Sequence, residues 1–195
     1  MTTAREVAAA LNAEVSSEAP MERGLPDRFL TTLQRIPFHM SERDGRITIS
    51  PLWPHRVRPN GGTAYMGARD WGVIKHDEHP PSATASAARS AESIAKEFDR
   101  RFMAKYIPMF QACLAKRKQI AENDERAMQL ATQMAASLGI AKPGVEYRDG
   151  EAHFWHPNAR VVRIWCGEQE PRARIESLTT SAAKMQRILE ILGTN

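Results

Sequence analysis

The last third of the sequence constrains the fold most, because it carries four segments of strand character and then one of helical character. Apolar and polar residues alternate in each of the first four segments, as in strands with one buried face. In the fifth segment, apolar residues recur at helical spacing: Met185, Ile188, Leu189 and Leu192. Four antiparallel strands and one helix can bury one shared apolar layer. The sequence therefore predicts a ββββα unit over residues 140–195.

The polar face of this predicted sheet carries basic and aromatic residues. Arg163 and Trp165 alternate with the core residues of the third strand, and Arg174 lies on the neighbouring strand. The hairpin register places His153 on the same face, opposite Glu146. An exposed tryptophan among arginines can stack on bases while the arginines neutralise phosphates. The alternative is that Trp165 belongs to a second core beneath the long helices, since many sheets are buried on both faces.

The first 83 residues predict two short helices and a β region. A capping box over residues 3–6 starts the first helix, and the apolar spacing over 29–36 predicts a second helix that ends before a proline. Asp44-Gly45 is a two-residue hairpin signal, because both positions of such a turn require positive φ. The alternation over 71–75 predicts another strand.

Residues 84–139 predict the helical part of the chain. A helix starts near Ser90, and Pro108 breaks or kinks it because proline lacks the amide donor. Asn123-Asp124 is a second potential break, and Gly139 is a good left-handed cap. Two or three helices, or one long kinked helix, are consistent with this pattern.

Together these patterns predict an α+β fold. It contains antiparallel sheet regions, a long central helical segment and the C-terminal ββββα unit. Three segments follow, over residues 1–83, 84–139 and 140–195, and they form either separate regions or one compact domain. A chain of 195 residues with 42% hydrophobic residues is long enough to bury a core of ordinary size.

The helical segment also carries most of the net positive charge. The net charge is +4, and residues 84–138 hold nine basic and six acidic residues. The basic residues that form the predicted stripe are Lys96, Arg100, Arg101, Lys105, Lys116, Arg117 and Lys118. Such a stripe can follow nucleic-acid phosphates, with binding that weakens steeply in salt. The alternative is a solvated helix face on which Glu92–Lys96 and Glu97–Arg101 form ion pairs.

Two histidine pairs are spaced three residues apart, His76 with His79 and His153 with His156. A metal site needs three or four converging ligands. His79 precedes two prolines, which force an extended backbone, and residues i and i+3 of a strand point to opposite faces. We therefore expect surface and turn histidines, with a metal-dependent hydrolase as the alternative.

Other chemical signatures are absent from the sequence. There is no G-x-S-x-G motif and no phosphate-binding P-loop, so we expect neither a cofactor nor an enzyme. Cys113 and Cys166 are too few for a disulfide framework and fall in buried patterns. No apolar run reaches the length of about 18 residues that a bilayer requires. We expect a cytoplasmic protein with no membrane partner.

One stretch resembles small uncharacterised proteins that bacteriophages and other mobile elements encode. It runs from ITISPLWPHR through a strand to SAESIAKEFDRRF, over residues 46–102. The resemblance contains no functional motif, so it transfers no site residue. It implies an accessory role, either managing DNA or blocking a host factor. Two hypotheses follow. The first is that the protein binds DNA or RNA. The second is that it is an adapter or inhibitor that binds a host complex through loops and methionine-rich helices.

Overall fold

A computed structural model describes residues 1–15, 28–58, 61–140, 145–148, 151–156, 159–166, 171–176 and 182–192. The fold is α+β, as predicted, with antiparallel sheets, a long central helical segment and a C-terminal sheet followed by a helix. The chain divides into two compact units. The first comprises Met1–His55 and Tyr65–Lys116, and the second comprises Arg56–Ala64 and Arg117–Asn195.

The first unit contains a five-stranded antiparallel sheet in the order β1-β2-β3-β4-β7. Its strands are β1 (Glu14–Val15), β2 (Arg28–Leu33), β3 (Ile36–Arg43), β4 (Arg46–Pro51) and β7 (Ala83–Ser86). Its helical elements are α1 (Ala4–Ala10), α2 (Ala91–Phe98), a π-helical turn (Asp99–Met103) and the first part of α3 (Ala104–Ser137).

The second unit contains the rest of α3, the short hairpin β5 (Arg56–Val57) and β6 (Thr63–Ala64), and a four-stranded antiparallel sheet. The sheet has the order β11-β10-β9-β8. Its strands are β8 (Glu146–Arg148), β9 (Glu151–His156), β10 (Ala159–Cys166) and β11 (Pro171–Glu176), and α4 (Ala182–Leu192) follows. The predicted ββββα unit is confirmed. Residues 149–150, which connect β8 to β9, lie outside the described residues.

The predicted helix over 29–36 is wrong, because these residues form the hairpin of β2 and β3. Its turn is Gln34-Arg35, and both residues have positive φ (52° and 67°). This backbone twist matches that of the flanking strands, whereas Gln and Arg are not typical turn residues. Both faces of β3 carry buried residues, since His39 is buried on the face opposite Phe38 and Met40. Such a strand lacks the regular polar–apolar alternation that would identify it in the sequence.

Other local predictions are confirmed or corrected. The capping box is present, since the Thr3 hydroxyl accepts from the Glu6 amide and the Glu6 carboxylate accepts from the Thr3 amide. Asp44-Gly45 forms its hairpin, with φ of 51° and 67°. Residues 71–75 are not a strand. They form turns around the buried Trp71, whose Nε1 donates to the Pro54 carbonyl at 3.2 Å.

The core of the first unit lies between the sheet and the helical segment. One sheet face contributes the fully buried Phe38, Met40, Ile47 and Ile49. The helical segment contributes a buried aromatic row at every fourth position: Phe98, Phe102, Tyr106 and Phe110. The rings of Phe38 and Phe102 are 6.2 Å apart, and those of Phe102 and Tyr106 are 4.9 Å apart.

The π-helical turn keeps this aromatic row facing the sheet. In an α-helix, each step of four residues overshoots a full turn by roughly 40°, so a row of this length would rotate away from its partner. A π turn contains more residues, because its hydrogen bonds join residues five apart. The Ala104 amide bonds in this way to the Asp99 carbonyl. The wider turn therefore corrects the drift.

The predicted breaks within the helical segment do not occur. Pro108 lies inside α3, and both Pro108 and Ala104 are exposed. Because proline has no amide hydrogen to donate to the Ala104 carbonyl, water takes its place. Asp124 lies within the same helix. The end is as predicted, since Gly139 has φ of 85° and the amides of Gly139 and Ile140 bond back to Ala136 and Ala135. This is a Schellman motif.

The core of the second unit lies on one face of its sheet. The strands contribute Ala152, Phe154 and Ile164, and α4 contributes Ile188. The second part of α3 supplies the remaining buried residues, which are Ala127, Ala131, Met134, Ala135 and Leu138. Both helices therefore pack against the same face. None of the helices in the described ranges combines the length and apolar character needed to cross a lipid bilayer.

Candidate functional site

The strand register of the second unit aligns charged residues across all four strands. Arg163 pairs with Arg174 on one side and with His153 on the other, and His153 pairs with Glu146. The predicted register of His153 is thus confirmed, and its Nε2 lies 3.7 Å from the Glu146 carboxylate. Since side chains alternate along a strand, this row lies on the face opposite the buried core.

Trp165 and Arg172 form the next pair on the same face. Arg163, Arg172 and Arg174 are exposed, and Trp165 is half-buried. The helices pack on the other face, so Trp165 does not lie beneath them, contrary to the alternative prediction. We call Arg163, Trp165, Arg172 and Arg174 the arginine–tryptophan face.

The charges near the arginine–tryptophan face are not all positive. Glu151 lies 3.8 Å from Arg163, and Glu146 lies at the far end of the row. An exposed pair at this distance contributes little, because water screens it. Among the side chains that the structure describes here, three arginines therefore lie near two carboxylates.

The basic residues of the helical segment do not form one continuous stripe. Arg100, Arg101 and Lys105 line an open cleft of about 790 Å³, together with Met109 and the loop residues 78–82. We call this the helix–loop cleft, and it lies within the first unit. Lys96 lines a different cleft, where Glu92 and Asp99 also lie. The predicted stripe is therefore divided.

The remaining basic residues, Lys116, Arg117 and Lys118, occupy consecutive positions of α3. Consecutive helical residues point in directions about 100° apart, so the three side chains cannot share one line. Lys118 and Glu122 are 3.8 Å apart, and both are strongly exposed. These residues stay a predicted contact surface.

Glu97 forms ion pairs with two of the arginines in this part of the chain. It accepts from Arg101 at 2.7 Å and also pairs with Arg89. The hydrogen bonds from Arg89 and then Arg101 lower the pKa of the Glu97 carboxyl below its ordinary value. The predicted Glu97–Arg101 pair is confirmed. Among the residues that the structure describes, no carboxylate forms an ion pair with Arg100 or Lys105.

The histidines fall in different surroundings. His76 and His79 are exposed in the first unit, and His79 lines the helix–loop cleft. His153 belongs to the second unit, and the side chain of His156 lies outside the described part. Within the described ranges, no three His, Cys, Asp or Glu side chains are grouped closely enough to hold a metal ion.

The two thiols are not activated. Burial raises the pKa of the Cys113 thiol to about 11. Burial also raises the pKa of Cys166, which packs against the core of the second unit. A nucleophilic cysteine needs the opposite shift, since the thiolate is the reactive form. Both residues therefore fit their predicted role as small apolar groups.

Two parts of these surfaces are missing from the sequence predictions. Arg172 is one, although its spacing of two from Arg174 places it on the same strand face. The other is the helix–loop cleft, which depends on the approach of residues 78–82 to the helical segment, and no local pattern encodes that approach. The only sequence signal for the π-helical turn beneath it is the fourfold spacing of the aromatic row.

Comparison with known proteins finds no match among protein-family models, curated proteins or solved structures. The geometry of the described residues is therefore the basis on which function is inferred.

Proposed function

We propose that this chain is an accessory nucleic-acid-binding protein that holds single-stranded DNA or RNA on the arginine–tryptophan face. One observation carries the proposal: a half-buried Trp165 lies among three exposed arginines on the sheet face opposite the core. An indole held by a sheet offers a flat surface for an unpaired base. Guanidinium groups beside it can contact the phosphates on either side.

The placement of Arg163 opposite Arg174 supports this proposal. The two guanidinium groups lie side by side on neighbouring strands at an exposed position. Two such groups can contact successive phosphates of one strand. Positioning on strands also favours binding, because the groups lose little conformational freedom when the ligand arrives.

The expected setting is a bacteriophage or mobile element, from the resemblance over residues 46–102. An accessory protein in this setting acts by binding rather than by chemistry. The carboxylates near the arginines favour a contribution from stacking, which binds without regard to sequence.

The experiment is a fluorescence-anisotropy titration of labelled 20-nucleotide DNA and RNA, single- and double-stranded, at two salt concentrations. We expect single strands to bind more tightly than duplexes, because only unpaired bases can stack on Trp165. Trp165→Leu should weaken single-strand binding roughly 5- to 100-fold, the range for removal of one stacked base. Replacing Arg163 and Arg174 by Gln should reduce the slope of log affinity against log salt by roughly 0.7 for each phosphate that is no longer neutralised.

Arg187→Gln is the matched control. Arg187 is an exposed arginine of α4 in the same unit, and it pairs with Glu190 at 2.7 Å. The substitution removes the same charge away from the arginine–tryptophan face, so it should change the affinity less than twofold. Absence of binding at low salt, or equally weakened binding in all three variants, would refute the proposal.

The adapter hypothesis receives less support from the described residues. Its sequence argument is the methionine content of the helices, but Met103 and Met134 are fully buried. Met109 and Met128 are half-buried, and Met128 packs against the core of the second unit. Met103, Met128 and Met134 therefore fill cores, which is the commoner use of the residue, whereas Met109 lines the helix–loop cleft.

A further inference from the structure

We propose that the helix–loop cleft of the first unit is a second, separate anion site, which binds the phosphate group of a phosphomonoester. Two sources can supply this group, a free nucleotide and the phosphorylated end of a nucleic-acid strand. The inference does not depend on the arginine–tryptophan face, because every lining residue of the cleft belongs to the first unit.

The π-helical turn gathers the cations that line the cleft. Residues five apart on an α-helix point roughly 140° away from each other, so Arg100 and Lys105 would face different directions. In the turn Asp99–Met103 the hydrogen bonds join residues five apart, so one turn contains more residues than in an α-helix. Arg100 and Lys105 consequently line the same recess as Arg101. The same turn points Phe102 into the core, so the aromatic packing holds the cationic side in place.

Loop residues 78–82 form the opposite wall, and the loop is fixed by its own bonds. Arg69 donates to the Glu78 carbonyl at 2.7 and 3.3 Å. The Glu78 carboxylate accepts from the Lys75 amide at 3.2 Å. Pro80 and the buried Pro81 restrict the backbone that follows. A wall that is ordered before the ligand arrives loses little entropy on binding.

The available charge in the cleft is positive. Arg101 is engaged by Glu97, but Arg100 and Lys105 form no ion pair within the described ranges. Glu78 is the one acidic residue of the described lining, and its carboxylate is already bonded to the Lys75 amide. The exposed Ser82 hydroxyl and His79 ring add further hydrogen-bonding groups.

These groups match a phosphate better than a carboxylate. A guanidinium presents a planar fork of donors, and an ammonium adds a compact charge, so together they reach several oxygens of a tetrahedral anion. A volume of about 790 Å³ also leaves room for the group that carries the phosphate. A dianion gains more from two cations than a monoanion does.

The test measures pyrophosphate binding by isothermal titration calorimetry at low salt. The double variant Arg100→Gln/Lys105→Gln should weaken binding at least tenfold. Lys96→Gln removes a lysine from the same helical segment outside this cleft, and it should change binding less than twofold. Trp165→Leu should also leave pyrophosphate binding unchanged, which separates this site from the arginine–tryptophan face. Circular dichroism melting curves confirm that each variant is folded.

A second arm compares two identical ten-nucleotide DNA strands, one with a 5′-phosphate and one with a 5′-hydroxyl. A preference for the phosphorylated strand that disappears in the double variant identifies a strand end as the source. Equal binding of both strands with pyrophosphate binding intact identifies a free nucleotide. Failure of the wild-type protein to bind pyrophosphate saturably, or equally weakened binding in the double variant and in Lys96→Gln, would overturn the inference.

Discussion

Arg56 and Asp124 form an ion pair that attaches the β5–β6 hairpin to α3 within the second unit. Arg56 Nη2 donates to both carboxylate oxygens of Asp124, at 3.1 and 2.9 Å. The Asp124 side chain is only 7% exposed and that of Arg56 is 21% exposed, so water screens the pair weakly. In the sequence, Asn123-Asp124 indicates a helix break. The partner that stabilises an aspartate inside the helix lies 68 residues away, and local propensity cannot reveal it.

We expect Asp124→Asn to destabilise the second unit by about 3 kcal/mol, because the largely buried Arg56 guanidinium loses the carboxylate that accepts two of its hydrogen bonds. Urea unfolding followed by circular dichroism measures this change. Glu190→Gln is the control, because its partner Arg187 is 65% exposed and Glu190 is 46% exposed. Removing an exposed pair should cost less than about 0.5 kcal/mol. Equal effects of the two variants would contradict this account of the hairpin.

Cys113 gives the first unit a dependence on alkaline pH. Burial raises its pKa from 9.0 to about 11 in the folded protein. The unfolded chain therefore releases the thiol proton at lower pH than the folded chain does. The stabilising contribution is complete below pH 9 and is lost as the pH rises through 11. Burial raises the pKa of the Tyr106 phenol as well, which acts in the same direction.

Between pH 8 and pH 11, the wild-type protein should lose roughly 2 to 3 kcal/mol more stability than Cys113→Ala, since two pKa units correspond to about that free energy. Urea unfolding at a series of pH values gives the comparison. Cys113→Ala retains Cys166 and the burial that chiefly raises the pKa of Tyr106, so those two contributions are common to both proteins. Parallel pH profiles for the two proteins would show that the thiol is not buried as the structure places it.

At the level of secondary-structure elements, turn chemistry decides which features the sequence can predict. Asp44-Gly45 is recognisable because both residue types favour left-handed backbone. Gln34-Arg35 adopts the same geometry without that signal, so the apolar spacing around it predicts a helix where a hairpin forms. β7 escapes prediction for a related reason, since three of its four residues are Ala or Ser, which carry little strand propensity. Pairing with β4 stabilises it instead.

Gly139 allows a test of the helix end. Its φ of 85° lies in the left-handed region, and an added Cβ would lie 3.7 Å from Lys184 Nζ, an ordinary contact. The cost of Gly139→Ala is therefore conformational, and we expect about 1 kcal/mol of destabilisation. Gly139→Asn should cost roughly half as much, because asparagine tolerates this conformation better. Thermal melting compares them, and a neutral Gly139→Ala would contradict the left-handed cap.

For the molecule as a whole, each compact unit is built from two separate stretches of the sequence. Composition and patterning predict segments over 1–83, 84–139 and 140–195, whereas the first unit ends within the helical segment and the second includes Arg56–Ala64. The ion pair of Arg56 with Asp124 and the core packing of Ala127 through Leu138 account for this division. Both depend on residues that are distant in sequence. Segment boundaries inferred from local composition do not contain that information.

The two candidate surfaces differ in how far the sequence could predict them. The arginine–tryptophan face follows from strand alternation, which by itself assigns Arg163, Trp165 and Arg174 to one face. The helix–loop cleft is only partly predictable, since the sequence singles out its three cations but groups Lys96 with them. The π-helical turn and the approach of residues 78–82 separate these residues. Register is local and periodic, whereas a recess requires tertiary structure.

Photo-cross-linking of a single-stranded RNA, followed by mass spectrometry of the cross-linked peptides, tests the binding proposal most directly. We predict cross-links to the peptide that contains Arg163 and Trp165, and their disappearance in Trp165→Leu while Arg187→Gln retains them. If the cross-links form on other elements and none forms on β10 or β11, the result would contradict nucleic-acid binding at the arginine–tryptophan face.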